Sequence, residues 1–166
     1  MRIRPEMPTD VSAIRTLTSI AFTGMPFASG TEPAIIDALR RAGALHLSLV
    51  AEDEAGLVGH VAFSPVRIDG EACGWFGLGP VSVRPSAQRK GVGSALIRKG
   101  LGLLRLEGAG GCVLLGDPAY YRRFGFRADP ALSLHGVPPV YFQCLRLGGA
   151  EMSHGVVTFH EGFGTT

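Results

Sequence analysis

The stretch QRKGVG, residues 88–93, places two cations and two glycines between a predicted strand and a predicted helix. A phosphate group binds well at such a place, because the first N–H groups of a helix have no acceptor within it and the helix dipole adds positive charge. Gly91 and Gly93 keep side chains out of the way and permit backbone angles that turn amides inward. The spacing predicts either an anion-binding turn or an ordinary turn in which glycine only relieves crowding.

Two other phosphate-binding patterns are excluded by their spacing. A P-loop needs glycine, four residues and then Gly-Lys-Ser/Thr, and the chain contains no such run. A dinucleotide fingerprint needs a third glycine where Leu96 stands, in a βα unit at the start of a parallel sheet. A nucleotide-binding enzyme built on these glycines is therefore disfavoured.

A second feature lies in the strand before this turn, WFGLGPVSV, residues 75–83. Pro80 cannot donate to a β-ladder and Gly79 weakens one, so we expect the strand to bulge or bend there. A bend would separate it from a parallel strand predicted near 112–115. The backbone of Val81 and Val83 could then pair with an extended ligand that carries amide groups. A simple kink at a sheet edge is the alternative.

Together these features resemble the GNAT superfamily of acetyl-CoA-dependent N-acetyltransferases, over about residues 1–145. The resemblance rests on a kinked strand ending V-x-V-x-P, then Q-x-x-G-x-G, a long amphipathic helix, a short strand, and a helix with a tyrosine before GF. GDPAYYRRFGF, residues 116–126, is similar to a bacterial subgroup of predicted acetyltransferases. The resemblance implies transfer of an acetyl group from acetyl-CoA to a primary amine by direct attack, without a covalent enzyme intermediate.

The resemblance also implies which residues act. The turn and the first helical turn would hold the CoA pyrophosphate, and the kinked strand would pair with pantetheine and polarise the acetyl carbonyl through a backbone N–H. Tyr121 would be the general acid for the departing thiolate, since a phenol stays protonated at neutral pH. Packing of its helix on the sheet is the alternative role. The expected cofactor-binding residues are Val81, Val83, Arg89, Lys90, Gly91, Val92, Gly93 and Ser94.

The sequence departs from the family at the general base. Many members carry a glutamate on the kinked strand, where this chain has Gly77-Leu78-Gly79. His60, Glu71, a water chain or an already neutral amine are the alternatives. For His60 the favoured interpretation is a histidine satisfied within the core. The missing carboxylate also favours the rival function, a non-catalytic acyl-CoA-binding regulatory domain, whereas the retained tyrosine argues against it.

The acceptor is expected to bind at the loop 23–30 and the C-terminal strands, by position and family analogy. The side chains available there are Phe27, His135, Tyr141, His154 and His160. Whether the amine belongs to a small molecule or to a peptide stays open. Asp117, before Pro118, is expected to cap a short helix, with a contact to the pantetheine arm as the lesser alternative.

The helices and strands that must position the candidate site residues are predicted from the sequence, and their order indicates a mixed α/β (α+β) fold. Helices are predicted at 9–22 and 32–43, an antiparallel meander near 46–52, 57–68 and 71–83, then helix, strand, short helix and two C-terminal strands. We expect one domain, residues 1–166, with a central, mostly antiparallel twisted sheet, a splayed parallel pair and helices on both faces.

Composition limits the function classes. The chain has 166 residues, 46% of them hydrophobic, and a net charge of +2, which indicates a globular protein without bulk nucleic-acid binding. No apolar run reaches the roughly 18 residues of a membrane span, and the N-terminus has no apolar signal core, so we expect no membrane partner and a cytoplasmic location. The edge left by the C-terminal strands favours a homodimer.

Three cysteines, Cys73, Cys112 and Cys144, are odd in number, widely spaced and placed in apolar runs. This pattern favours neither a disulfide framework nor a metal site. We expect three buried thiols and no metal.

Overall fold

A computed structural model describes residues 1–26, 28–149 and 151–164. The strands are β1 (Arg2–Pro5), β2 (Leu47–Asp53), β3 (Gly56–Ile68), β4 (Glu71–Val83), β5 (Gly111–Leu115), β6 (Leu132–Ser133), β7 (Phe142–Arg146) and β8 (Gly155–Thr158). The α-helices are α1 (Val11–Phe22), α2 (Glu32–Arg41), α3 (Val92–Leu106) and α4 (Pro118–Tyr121). The predicted early helices and the predicted meander are confirmed, with small differences at their ends.

The strands are hydrogen-bonded in the order β1-β2-β3-β4-β5-β7, and β8 pairs with β3 and with β6. Strands β1, β2 and β3 pair antiparallel, as do β5 and β7, whereas β4 and β5 are parallel. The predicted fold class, a mixed α/β fold with a mostly antiparallel sheet and a parallel pair, is confirmed. The two-residue strand β6 was not predicted.

The described chain forms two compact units, each built from separate segments. The first holds residues 1–64, residues 79–100 and the segment that begins at Glu161. The second holds residues 65–78 and 101–160. That residues 1–166 form a single domain stays a prediction.

Within the first unit, helices cover both faces of β2 and β3. Val50 of β2, which pairs with His60, packs in an apolar cluster with residues of α1 and α2. Neighbouring residues of a strand point to opposite faces. Accordingly, a side chain at Gly59 would meet Val92 of α3. The two N-terminal helices and α3 therefore lie on opposite faces of these strands.

The second unit has a core of its own around the buried indole of Trp75. A Cβ at Gly111 would overlap this indole, so glycine at that position gives the ring its space. Burying a residue of this size contributes strongly to stability. The other buried members of this core are Val66, Ile68, Val113, Leu132, Phe142, Cys144 and Val157.

The cysteines are only partly as expected. Cys112 and Cys144 are buried, whereas the expected burial of Cys73 is wrong. Cys73 lies in the first part of β4, residues 71–74, where all four residues are exposed. Burial, with Asp129 nearby, raises the pKa of the Cys144 thiol to about 11, and burial raises that of Cys112 further. Both buried thiols therefore stay protonated and unreactive at neutral pH.

The packing of α3 on β3 makes a prediction about stability. A methyl group at Gly100 would overlap the ring of Phe63. We expect Gly100→Ala to lower the free energy of unfolding by about 1–2 kcal/mol, because overpacking costs about 1–3 kcal/mol and added helix propensity returns at most about 1 kcal/mol. Gly102→Ala is the matched control, since a Cβ there meets no atom within 4 Å. It should stabilise by roughly 0.5–1 kcal/mol. Urea unfolding measures both variants, and equal stability would contradict the packing.

Candidate active site

The turn before α3 combines left-handed backbone angles with the open end of a helix. Arg89 has φ 62° and Gly91 has φ 85°. The N–H of Ala95 donates to the Gly91 carbonyl at 3.0 Å. The N–H groups of Val92 and Gly93 precede this helical bond and point out of the N-terminal end of α3. With the helix dipole they form an electropositive end that suits an anion.

The outer side of this turn is open. Arg89, Lys90 and Gly91 are exposed, and Gly93 and Ser94 are half-buried. A Cβ at Gly91 would meet no atom within 4 Å. Relief of crowding is therefore not the reason for glycine at this position, whereas a φ of 85° is one that side chains with a Cβ rarely adopt.

Val92 differs from the rest of the turn because its side chain is buried. A Cβ at Gly59 of β3 would lie 2.7 Å from the Val92 Cγ1 atom, so glycine lets the two elements approach closely. This contact holds the start of α3 on the sheet. Val92 therefore offers only its backbone N–H to the open side.

The backbone of β4 directs Val81 and Val83 away from β3. The N–H of Arg84 donates to the Val58 carbonyl of β3 at 2.9 Å. Because the N–H and C=O groups of successive strand residues point to opposite edges, those of Val81 and Val83 point to the edge that does not face β3. The pairing of β4 with β5 covers only Trp75–Gly77, so both valines lie beyond its last paired residue.

Gln88 connects this turn to β4. Its side-chain Nε2 donates to the Val83 carbonyl at 3.0 Å. The bond fixes the turn relative to the strand end and satisfies one of the carbonyls that face away from β3. The sequence pattern included Gln88 but assigned it no role.

Tyr121 lies at the C-terminal end of α4 in an aromatic cluster. Asp117 caps this helix as predicted, accepting the Ala119 N–H at 2.9 Å. The Tyr121 ring packs edge-on against Tyr120 and Phe126, with centroid distances of 4.9 and 6.2 Å. Burial, with Tyr120 nearby, raises the pKa of Tyr121 to about 12. The phenol is therefore fully protonated at neutral pH.

The Tyr121 ring packs against Gly116, in the turn between β5 and α4. A Cβ at Gly116 would overlap this ring, so the ring occupies the space of a side chain. The Gly116 N–H donates to the Tyr141 carbonyl at 3.0 Å, and its carbonyl accepts the Gln143 Nε2 at 2.9 Å. No local sequence pattern predicts a role for Gly116 or Gln143.

The stretch Gly77-Leu78-Gly79, which lacks the expected glutamate, is tightly packed at its first residue. A Cβ at Gly77 would lie 2.7 Å from the ring of Phe159, so a side chain there would have to displace this ring. Glu71, one predicted alternative, is exposed at the start of β4.

His60, the other alternative, is fully buried. Its Nε2 is 2.7 Å from Ser48 Oγ, and Ser48 in turn bonds to Glu6. Burial lowers the pKa of His60 to about 4, against the opposing charge of Glu6. The imidazole is neutral and buried, but only its Nε2 has a hydrogen-bond partner among the described residues, so the interpretation of a histidine satisfied within the core holds for that nitrogen alone.

The residues expected near the acceptor have different surroundings. His135, Tyr141 and His154 are exposed and His160 is half-buried, whereas Phe27 lies outside the described residues. In the described ranges, no cluster of three or more His, Cys, Asp or Glu side chains is placed to hold a metal ion. No described helix is both long and apolar enough to cross a membrane.

Sequence comparisons match this chain to known acetyltransferases. Residues 44–128 match the family model described as an acetyltransferase (GNAT) domain. The chain is also 37% identical to the uncharacterized N-acetyltransferase YhbS of Escherichia coli (strain K12), over 98% of each chain.

Two crystal structures share both sequence and fold with this chain. One is a GNAT family acetyltransferase from Brucella melitensis in complex with acetyl-CoA, 51% identical over 98% of this chain and 97% of that one, with a TM-score of 0.87. The other is YhbS from Escherichia coli in complex with CoA, 35% identical over 98% of this chain and 91% of that one, with a TM-score of 0.88.

The backbone angle at Gly91 makes a prediction about CoA binding. We expect Gly91→Ala to weaken CoA binding about 10-fold. The φ angle of Gly91 is strained for alanine, and if the backbone relaxes to relieve that strain, the N–H groups at the start of α3 turn away from the charged ligand to which they would bond. Gly108→Ala is the matched control, since Gly108 has φ 82°, open surroundings and a place at the other end of α3. Both variants should lose about 1–2 kcal/mol of stability. Calorimetry with CoA separates them, and wild-type affinity in the Gly91 variant would rule out this turn.

Proposed function

This chain belongs to the GNAT family of N-acetyltransferases, and we propose that it transfers the acetyl group of acetyl-CoA to a primary amine of an acceptor by direct attack. The observation that carries the proposal is the open N-terminal end of α3, with left-handed angles at Arg89 and Gly91. A pyrophosphate is the kind of anion that such an end binds. The thioester supplies an activated acetyl group and a thiolate leaving group.

The chain's own residues fit both halves of the cofactor. The N–H groups of the first turn of α3, at Val92, Gly93 and Ser94, would hold the pyrophosphate, and the exposed cations Arg89 and Lys90 would add charge at its rim. The edge of β4 formed by Val81 and Val83 would pair with the amides of the pantetheine arm as an added strand. A backbone N–H of this strand would polarise the acetyl carbonyl.

Tyr121 would hold the proton for the departing thiolate. Its raised pKa, about 12, keeps the phenol protonated across the physiological range, as a proton donor must be. The aromatic cluster around it and the cap at Asp117 hold its helix in place. The neutral phenol can therefore donate a proton without placing a charged group in the site.

The acceptor is a primary amine of a small molecule or a peptide. The proposal includes a cytoplasmic location and a homodimer that pairs through an exposed sheet edge. A screen of primary amines with acetyl-CoA, read as released thiol, tests the reaction. We expect at least one amine to accelerate thiol release well above slow hydrolysis, and hydrolysis alone with every amine would overturn the proposal.

The role of Tyr121 makes a prediction about turnover. We expect Tyr121→Phe to lower kcat by about 10–10³-fold with little change in CoA affinity, because it removes the proton and keeps the ring. Tyr120→Phe is the matched control. The Arg123 guanidinium lies 4.2 Å from the centroid of the Tyr120 ring, a contact that phenylalanine keeps. Unchanged kcat in the Tyr121 variant would remove this residue from the mechanism.

A further inference from the structure

The side chain of Gln143 in β7 bonds to the turn that precedes α4. The side chain is buried, with 1% of its surface exposed. Its Nε2 donates to the Gly116 carbonyl at 2.9 Å, but its Oε1 has no hydrogen-bond partner in the part of the chain that the structure describes.

The bond from the Gln143 side chain to Gly116 lies next to the Tyr121 ring. Gly116 is held from two sides, by Gln143 at its carbonyl and by the Tyr141 carbonyl at its N–H. The Tyr121 ring lies against the Cα of Gly116 so closely that a Cβ would overlap it. A shift of this turn therefore moves the ring.

The assignment of the Gln143 amide follows from chemistry. Gly116 presents a carbonyl oxygen, which only accepts, so the nitrogen and not the oxygen of the Gln143 side chain must face it. The side chain thus has one donor in use and an acceptor left over.

We propose that Gln143 is a positioning residue, which sets the place of the Tyr121 hydroxyl by holding Gly116. The inference rests on the proposed function, in which that hydroxyl protonates the thiolate. A misplacement of about 1 Å at a reacting group costs on the order of 10²-fold in rate. A small movement of the turn is therefore enough to lower turnover while leaving the CoA site of α3 intact.

Gln143→Met tests this role, because methionine is similar in size and lacks both polar atoms. We expect kcat to fall about 10-fold with unchanged CoA affinity. Some loss of Tm is expected as well, because the Gly116 carbonyl loses its partner. An unchanged kcat, whatever the change in Tm, would overturn the proposal. The activity probe is the fastest amine of the screen described above.

A double-mutant cycle with Tyr121→Phe separates positioning from general damage. If Gln143 acts through the Tyr121 hydroxyl, Gln143→Met should change kcat less than about 2-fold once that hydroxyl is absent. Gly116→Ala places a methyl group where the Tyr121 ring lies. Its effect on kcat should likewise be less than about 2-fold once the Tyr121 hydroxyl is absent. Additive losses in these cycles would contradict the proposal. Leu145→Met, two residues along β7, is the control and should leave kcat unchanged.

Crystal structures of wild type and Gln143→Met provide a measurement that does not depend on activity. We expect the Tyr121 ring to shift with Gly116 in the variant, and an unmoved ring would overturn the positioning role. If no amine is acetylated by wild type, the proposed function fails, and the ring position still decides whether Gln143 seats Tyr121.

Discussion

The structure depends on N–H groups at the start of α3 that no helix can satisfy by itself. Arg89, Lys90 and Gly91 are exposed at this turn, so these N–H groups can bond to an outside anion. Gly91 supplies the angle that turns the backbone into the helix, and Val92 packs on Gly59 to fix the helix start. Gln88 ties the turn to Val83. Each contact restrains the turn without covering it, which is the arrangement that a phosphate-binding site needs.

The strand before this turn, β4, also has backbone N–H and C=O groups that need partners. A strand in an antiparallel ladder uses the N–H and C=O groups of every second residue, so the others must find partners on the opposite edge. Arg84, directly after β4, bonds to β3, and the backbone groups of Val81 and Val83 point away from β3. Because pairing with β5 covers only Trp75–Gly77, the strand can offer this edge to an extended ligand.

The early helices, the meander and the glycine turn were predictable from the sequence, because the patterns that indicate them lie within short stretches of chain. The change of hydrophobic period gave the early helices and the meander, and the spacing of Gly91 and Gly93 gave the turn. The contacts of Gln143 were not predictable, since it meets Gly116 across 27 positions of chain and only strand register brings them together. Cys73 was misjudged because its apolar neighbours lie in an exposed end of β4. The two residues of β6 carry no periodicity to detect.

Two glycines of this chain, Gly77 and Gly116, each leave room for an aromatic ring. At Gly77 the ring of Phe159 fills the place of a side chain, and a charged group buried against it would lose its hydration without gaining a partner. At Gly116 the ring of Tyr121 fills the corresponding space, but a phenol is neutral, and burial raises its pKa to about 12. In the proposed mechanism the buried phenol would be a neutral acid, and an acceptor amine that reaches this protein without its proton would need no carboxylate.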